Sequence, residues 1–158
     1  MNIDVAYGRE LNDDILQQLQ YMEADAFAYY ESIDSDENEY IIGAIPSETF
    51  KQFKRRTVNT LFLMKIKKTK QHKSKLVGMA CLSKHSKTEK ILHTVFVKNA
   101  YRRKGIGEAI VKKAISIAKK MKCSVKLGVN PLNTNAINLY TKLGFKICKS
   151  QSIHMKLK

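Results

Sequence analysis

Hydrophobic and polar positions first alternate at Ile3, Val5 and Tyr7, the period of two expected of a short half-buried strand. After Gly8 the period lengthens. Ile15, Leu19, Met22 and Ala26, with Leu16 and Tyr29, recur at helical spacing and predict a first helix. The run Glu31-Ser32-Ile33-Asp34-Ser35-Asp36-Glu37-Asn38-Glu39 is too charged to pack, so an acidic loop is predicted there, mobile or ordered only by a partner. Ser47 follows Pro46 and precedes Phe50 and Phe53, which predicts a short second helix capped by Ser47 and ending near Arg56.

Residues 61–66 and 76–82 are apolar, β-prone runs flanking the basic stretch 67–75, as two antiparallel strands joined by an exposed loop would be. A third run, 91–97, completes a meander. The sequence Tyr101-Arg102-Arg103-Lys104-Gly105-Ile106-Gly107 follows, and Ile106, Ala109, Ile110, Ala114, Ile117, Ala118 and Met121 then mark one face of a long amphipathic helix. Residues 124–129 predict a strand and 131–135 a turn. Ala136, Ile137, Leu139, Tyr140 and Leu143 predict a short helix closed by Gly144. Residues 145–148 and 153–157 are the last predicted strands. Neither repeats nor a linker interrupt the pattern, and 158 residues match one domain spanning 1–158.

Charge changes this picture more than composition does. Up to Tyr40 there are eleven acidic residues and one basic residue, a net of −10; the remainder holds 28 basic residues and three acidic ones, a net of +25. A basic body suits a polyanionic ligand, either nucleic acid or a phosphate-bearing cofactor. No apolar run approaches the roughly 20 residues of a membrane span, and the N-terminus lacks a basic-then-apolar leader, so a soluble, cytoplasmic protein is expected. Cys81, Cys123 and Cys148 are odd in number, widely spaced and set in apolar patterns. They read as reduced core residues rather than a disulfide framework or a metal knuckle, and no metal site is expected.

The chemistry concentrates at 102–107. Two glycines at the start of a helix allow close approach of a ligand to the backbone, where unpaired N–H groups and the helix dipole favour an anion. Arg102, Arg103 and Lys104 add positive charge beside it. Ile110 stands where a dinucleotide fingerprint would carry its third glycine, and there is no Gly-Lys-Ser/Thr of a Walker loop.

The stretch FVKNAYRRKGIGEAIVKKAISIAKK resembles motif A of the GNAT superfamily of N-acetyltransferases, and LGVNPLNTNAINLYTKLGFK is similar to the same family's motif B. Together they cover residues 91–146. The resemblance implies an α/β (α+β) GNAT fold: a central mixed, mostly antiparallel sheet of about six to seven strands flanked by about four helices. It further implies transfer of acetyl from acetyl-CoA, with CoA as product, to a primary amine by direct attack in a ternary complex. On this reading Arg102, Arg103, Lys104, Gly105, Ile106 and Gly107, with Glu108 beside them, form the pyrophosphate loop. The fourth strand's Val95, Phe96 and Val97 lie along the pantetheine arm, Asn133 contacts CoA, and Tyr140 protonates the departing thiolate.

Family members often place a glutamate on the fourth strand as base, but residues 91–95 contain no carboxylate; His93 is the nearest substitute, since imidazole titrates near neutrality. The first two helices and their connecting loop usually border the acceptor in this family, and here they carry Glu23, Asp25, Glu31, Asp34, Asp36, Glu37 and Glu39. A small cationic amine is therefore favoured as acceptor, for a monomer or homodimer. The alternatives are an amine on a protein, peptide or ribosome-associated partner, a basic nucleic-acid-binding protein using Lys65 to Lys75, and a CoA-binding module without catalysis.

Overall fold

Strands at the centre of this molecule are apolar on both faces because each face meets a different helical layer. The computed structural model describes residues 1–33, 44–148 and 154–157. In chain order these form β1 (Asp4–Tyr7), a 3-10 turn (Gly8–Glu10), α1 (Asp13–Ile33), α2 (Phe50–Arg56), β2 (Leu61–Lys68), β3 (Ser74–Lys84) and β4 (Glu89–Val97). A second 3-10 turn (Asn99–Tyr101), α3 (Ile106–Lys120), β5 (Ser124–Gly128), α4 (Thr134–Lys142), β6 (Phe145–Cys148) and β7 (His154–Leu157) follow. The strands make one seven-stranded sheet in the order β1-β2-β3-β4-β5-β7-β6. Among the described residues only the β4–β5 pairing is parallel; the others are antiparallel. The mixed, mostly antiparallel sheet with four α-helices is the architecture the sequence predicts.

On one face, Leu16, Leu19, Met22 and Ala26 of α1 and Phe53 of α2 pack on Phe62, Met64, Met79, Cys81 and Phe96. On the other, Ile106, Ile110, Val111, Ala114 and Ala118 of α3 pack on Leu63, Val77, Ala80, Leu92 and Val125, joined by Tyr140 of α4 and by Phe145 and Met155. Phe62 and Leu63 are neighbours in sequence yet belong to different cores, as strand alternation requires. Each fully buried Ile, Leu or Phe contributes about 1.5–3 kcal/mol of transfer free energy, so these two stripes anchor α1 and α3 independently.

Several expectations shift at element ends. Helix α1 runs to Ile33 and so absorbs Glu31, Ser32 and Ile33 from the expected acidic loop; residues 34–39 of that loop lie outside the described residues. Thr49, not Ser47, caps α2. Its Oγ1 accepts from Gln52 N at 3.1 Å while Gln52 Oε1 accepts from Thr49 N at 2.9 Å, a reciprocal pair unavailable to Ser47 because the residue three positions on is Phe50. Strands β2 and β3 outlast their apolar runs, because main-chain pairing of Lys67 with Lys75 and Lys68 with Ser74 extends the ladder into polar sequence. The N-terminus is fixed by a close approach at Gly8, whose N–H donates to Thr60 O at 3.0 Å and where an added Cβ would lie 2.0 Å from Thr57 O. Among the described residues no helix is long and apolar enough to cross a membrane.

Candidate active site

A split in the sheet creates the site. β4 pairs with β5 only through Glu89, Lys90 and Ile91, opposite Ser124, Val125 and Lys126; beyond this the two strands part. The cause lies in β4. Between the β3 pairings Cys81↔His93 and Met79↔Phe96, β4 carries one extra residue, and Thr94 sits at φ +56°. A bulge of this kind bends its strand and increases local twist. A threonine at positive φ costs about 1–2 kcal/mol, which the packing around buried Thr94 offsets.

Beyond the bulge, Phe96 faces its partner Met79 and Lys98 N donates to Val77 O at 2.9 Å, so the intervening main-chain groups of Val95 and Val97 turn toward the split. Two side chains meet them there. Tyr30 Oη donates to Val95 O at 2.7 Å, and Arg102 Nε donates to Val97 O at 2.9 Å. The Arg102 guanidinium also stacks 4.5 Å from the Tyr29 ring centroid and 5.2 Å from that of Phe96. Arg102 thus joins the loop, β4 and α1 while lining the cleft.

The resulting cleft is about 1250 Å³ in volume. It is lined by His93, Val95, Phe96, Val97, Arg102, Arg103, Gly105, Ile106, Gly107, Glu108, Asn133 and Tyr140, so the structure brings together every site residue expected from sequence except one. Lys104 does not line it; its Nζ lies 5.6 Å from the Tyr101 ring centroid instead. Gly105 adopts φ +81°, ψ 8° at the N-cap of α3, and Arg103 has φ +60°. The first intrahelical bond of α3 is Ala109 N to Gly105 O, which leaves the amides of 106–108 without main-chain acceptors at the cleft edge. A Cβ at Gly105 would meet nothing within 4 Å. The glycine is therefore required by backbone conformation, and the space over the amides is open.

Asn133 caps α4, its Oδ1 accepting from Ala136 N at 3.3 Å. Glu108 pairs with Lys142 at 3.0 Å and Lys112 at 3.6 Å; the Lys142 bond chiefly holds its carboxyl below the usual carboxylate range and ties α3 to α4. Tyr140 is 7 % exposed and packs against Phe145 with ring centroids 5.7 Å apart. Burial pushes its pKa up to about 12, so the hydroxyl is protonated at neutral pH. It makes no hydrogen bond among the described residues, and it stands near enough to Tyr30 that their charges would oppose one another. Tyr30 itself is raised above the usual phenol range, mainly by burial.

His93 lies on the α1/α2 side of the sheet, as its partner Cys81 does. Its Nε2 is 2.7 Å from Ser83 Oγ and its Nδ1 3.2 Å from Thr94 Oγ1. The ring reaches the open cleft, yet the surrounding protein removes enough hydration to hold its pKa below the usual histidine value, and Arg56 acts in the same direction. Cys81 is buried with its thiol pushed well up by burial, which makes it a poor nucleophile.

Sequence reading missed Tyr30, whose contact with Val95 spans 65 residues, and the Glu23–Arg56–Glu48 group beside His93. Glu23 was expected at the acceptor border as an available charge. Its side chain is instead only 12 % exposed and bonds Arg56 at 2.7 Å, with burial raising its pKa against the opposing pull of Arg56. Asp25 likewise accepts from Ala44 N at 3.0 Å. Among the described residues no group of three or more His, Cys, Asp or Glu side chains is placed to hold a metal ion.

Comparison with known proteins identifies the family and the fold. A model of the family described as Acetyltransferase (GNAT) family matches residues 19–145. An uncharacterized N-acetyltransferase of Methanocaldococcus jannaschii is 43% identical over 56 residues, which are 35% of this chain and 25% of that protein, so the match spans about a quarter of the relative's length. The N-acetyltransferase PaiA of Thermoplasma acidophilum, solved in complex with coenzyme A, superposes with a TM-score of 0.66 at 20% identity, covering 100% of this chain and 99% of that one. A GNAT family acetyltransferase from Elizabethkingia anophelis, solved with acetyl-CoA bound, gives a TM-score of 0.53 at 16% identity over 63% of this chain and 75% of that one.

Proposed function

The chain belongs to the GNAT acetyltransferase family, and we propose that, acting as a single domain, it transfers acetyl from acetyl-CoA to a small cationic primary amine by direct attack in a ternary complex. The observation that carries this reading is the split between β4 and β5, with the unpaired α3 amides at its edge. The residues fit the cosubstrate. A twice-negative pyrophosphate suits the amides of 106–108, the α3 dipole and Arg103. The cleft-facing main chain of Val95 and Val97 suits an amide-bearing arm added as an extra strand. When bound, acetyl-CoA supplies an activated thioester carbonyl.

The protein's own groups then handle protons. An amine of pKa about 10 arrives as ammonium and must lose a proton before it attacks. His93, neutral at pH 7 because partial loss of hydration and Arg56 depress its pKa, accepts that proton at the ring nitrogen not carrying N–H. Tyr140, still protonated, donates to the leaving sulfur. With Cys81 buried and protonated, transfer needs no protein acyl intermediate. A cationic acceptor is supported by the five acidic residues between 31 and 39, which follow directly on Tyr29 and Tyr30 at the cleft wall. The three cysteines are free, which suits a reducing compartment such as the cytoplasm.

Thiol release from acetyl-CoA, measured against polyamines, aminoglycosides and peptides with free amino groups, tests the reading. Acceptor-dependent release, fastest with small polycationic amines, is expected. Release with none of the three classes would refute transfer to an amine, and release with peptides alone would refute the small-amine assignment.

A further inference from the structure

Beside the loop at 102–107 lies a basic cluster that the proposed chemistry does not use. Lys67 and Lys75 stand directly opposite one another on β2 and β3. Like charges in that position repel across the strands. Both ammonium groups, with that of Lys104, lie about one phenol ring: Lys67 Nζ is 4.9 Å, Lys75 Nζ 5.7 Å and Lys104 Nζ 5.6 Å from the Tyr101 centroid. No ion pair among the described residues engages any of the three. The cluster also sits on the cofactor side. Leu76 packs in the α1/α2 core, so Lys75, its neighbour on the strand, faces the opposite, α3 side. Tyr101 itself lines the cleft and immediately precedes Arg102.

Three ammonium groups around one ring, none of them in an ion pair among the described residues, suit a dianion better than a single negative charge. A phosphomonoester has that chemistry, and coenzyme A carries one on its ribose, next to the pyrophosphate. On the acetyl-CoA reading above, we propose that Lys67, Lys75 and Lys104, gathered about Tyr101, form a phosphomonoester subsite that binds the ribose 3′-phosphate of coenzyme A. The β2–β3 hairpin thereby becomes a specificity element, making the protein discriminate between coenzyme A and its dephosphorylated form. The main force is charge pairing at an exposed site, so the discrimination weakens as salt rises.

Titration of the full chain with coenzyme A and with dephospho-coenzyme A tests this, in the wild type and in a Lys67→Gln/Lys75→Gln double variant. Removing a repelling pair does not threaten the fold, so an unchanged or raised melting temperature is expected. The wild type should bind coenzyme A about tenfold more tightly than the dephospho form, the scale of one or two charge-assisted bonds. The double variant should lose that difference while keeping its affinity for dephospho-coenzyme A, and Lys67→Arg/Lys75→Arg should retain it. Equal wild-type affinities for the two ligands would overturn the subsite alone. Binding of neither would overturn the cofactor reading, and the subsite with it. A short single-stranded DNA that binds through the same two lysines, with the two coenzyme affinities equal, would reassign the cluster to nucleic-acid phosphates.

Discussion

Replacing Tyr140 by Phe isolates one proton. The hydroxyl makes no hydrogen bond among the described residues, and the ring contact with Phe145 at 5.7 Å is retained, so stability should change by no more than about 0.5 kcal/mol. The rate should change far more. General acids contribute about 10²- to 10⁴-fold. A coenzyme thiol resembles a cysteine thiol of pKa about 8.5, so its thiolate is a fairly good leaving group and the low end applies. A loss of about 10²-fold in kcat, or about 2.7 kcal/mol, is expected at pH 7. Because burial holds Tyr140 near 12, the wild-type acid stays protonated throughout the accessible range. Unassisted expulsion of the thiolate does not itself depend on pH, so the deficit of the variant should stay nearly constant across this range. Steady-state thiol release between pH 6 and 10, about the span bracketing the thiol, measures this, with acetyl-CoA affinity as control. An unchanged kcat at pH 7, or a deficit that disappears within that range, would refute the assignment.

His93 should set the acid limb of kcat/KM: depressed by partial loss of hydration and by Arg56, it becomes a competent base as pH rises through a midpoint below about 6.5, and His93→Ala should abolish that limb in a pH–rate profile. Gly105→Ala should cost about 1–2 kcal/mol, because φ +81° is strained for alanine although its Cβ meets nothing, whereas Gly105→Asn should cost less; thermal melts of the two variants compare them. Arg56→Ala leaves Glu23 with a desolvated carboxylate, and since Arg56 is itself half-exposed, the loss should be about 1–2 kcal/mol in denaturant unfolding. The linkage sign for Glu23 follows from its raised pKa, which means the native state favours the protonated acid; lowering the pH below the ordinary carboxylate value should therefore recover part of that loss.

The parts of this protein legible in its sequence are those determined locally. The spacing Gly105-Ile106-Gly107 before an amphipathic run specifies the αL cap and α3 within one turn, and Asn133 caps α4 as an asparagine in that position should. The meander followed from three apolar runs. What escaped depends on distant contacts or on an unremarkable residue in an unusual conformation. Thr94 gives no sign of a positive φ, yet its bulge opens the cleft. Tyr30 reads as one more apolar position on α1 until β4 is placed beneath it. The insertion of β7 between β5 and β6 leaves no trace in the order of the runs. Arg102 reads in sequence as a positive charge and the first residue of the pyrophosphate loop, while its aromatic stacking and its bond to Val97 make it equally a structural joint.

Calorimetric titration with acetyl-CoA, for the wild type and for Gly105→Glu, tests the central claim most directly. The open space above Gly105 lets the variant fold with only local backbone strain, while its carboxylate occupies the anion position over the amides of 106–108. Saturable binding by the wild type, lost in a variant whose circular dichroism is native, is the predicted result. No binding by the wild type, or equal binding by both proteins, would contradict the assignment of this cleft to acetyl-CoA.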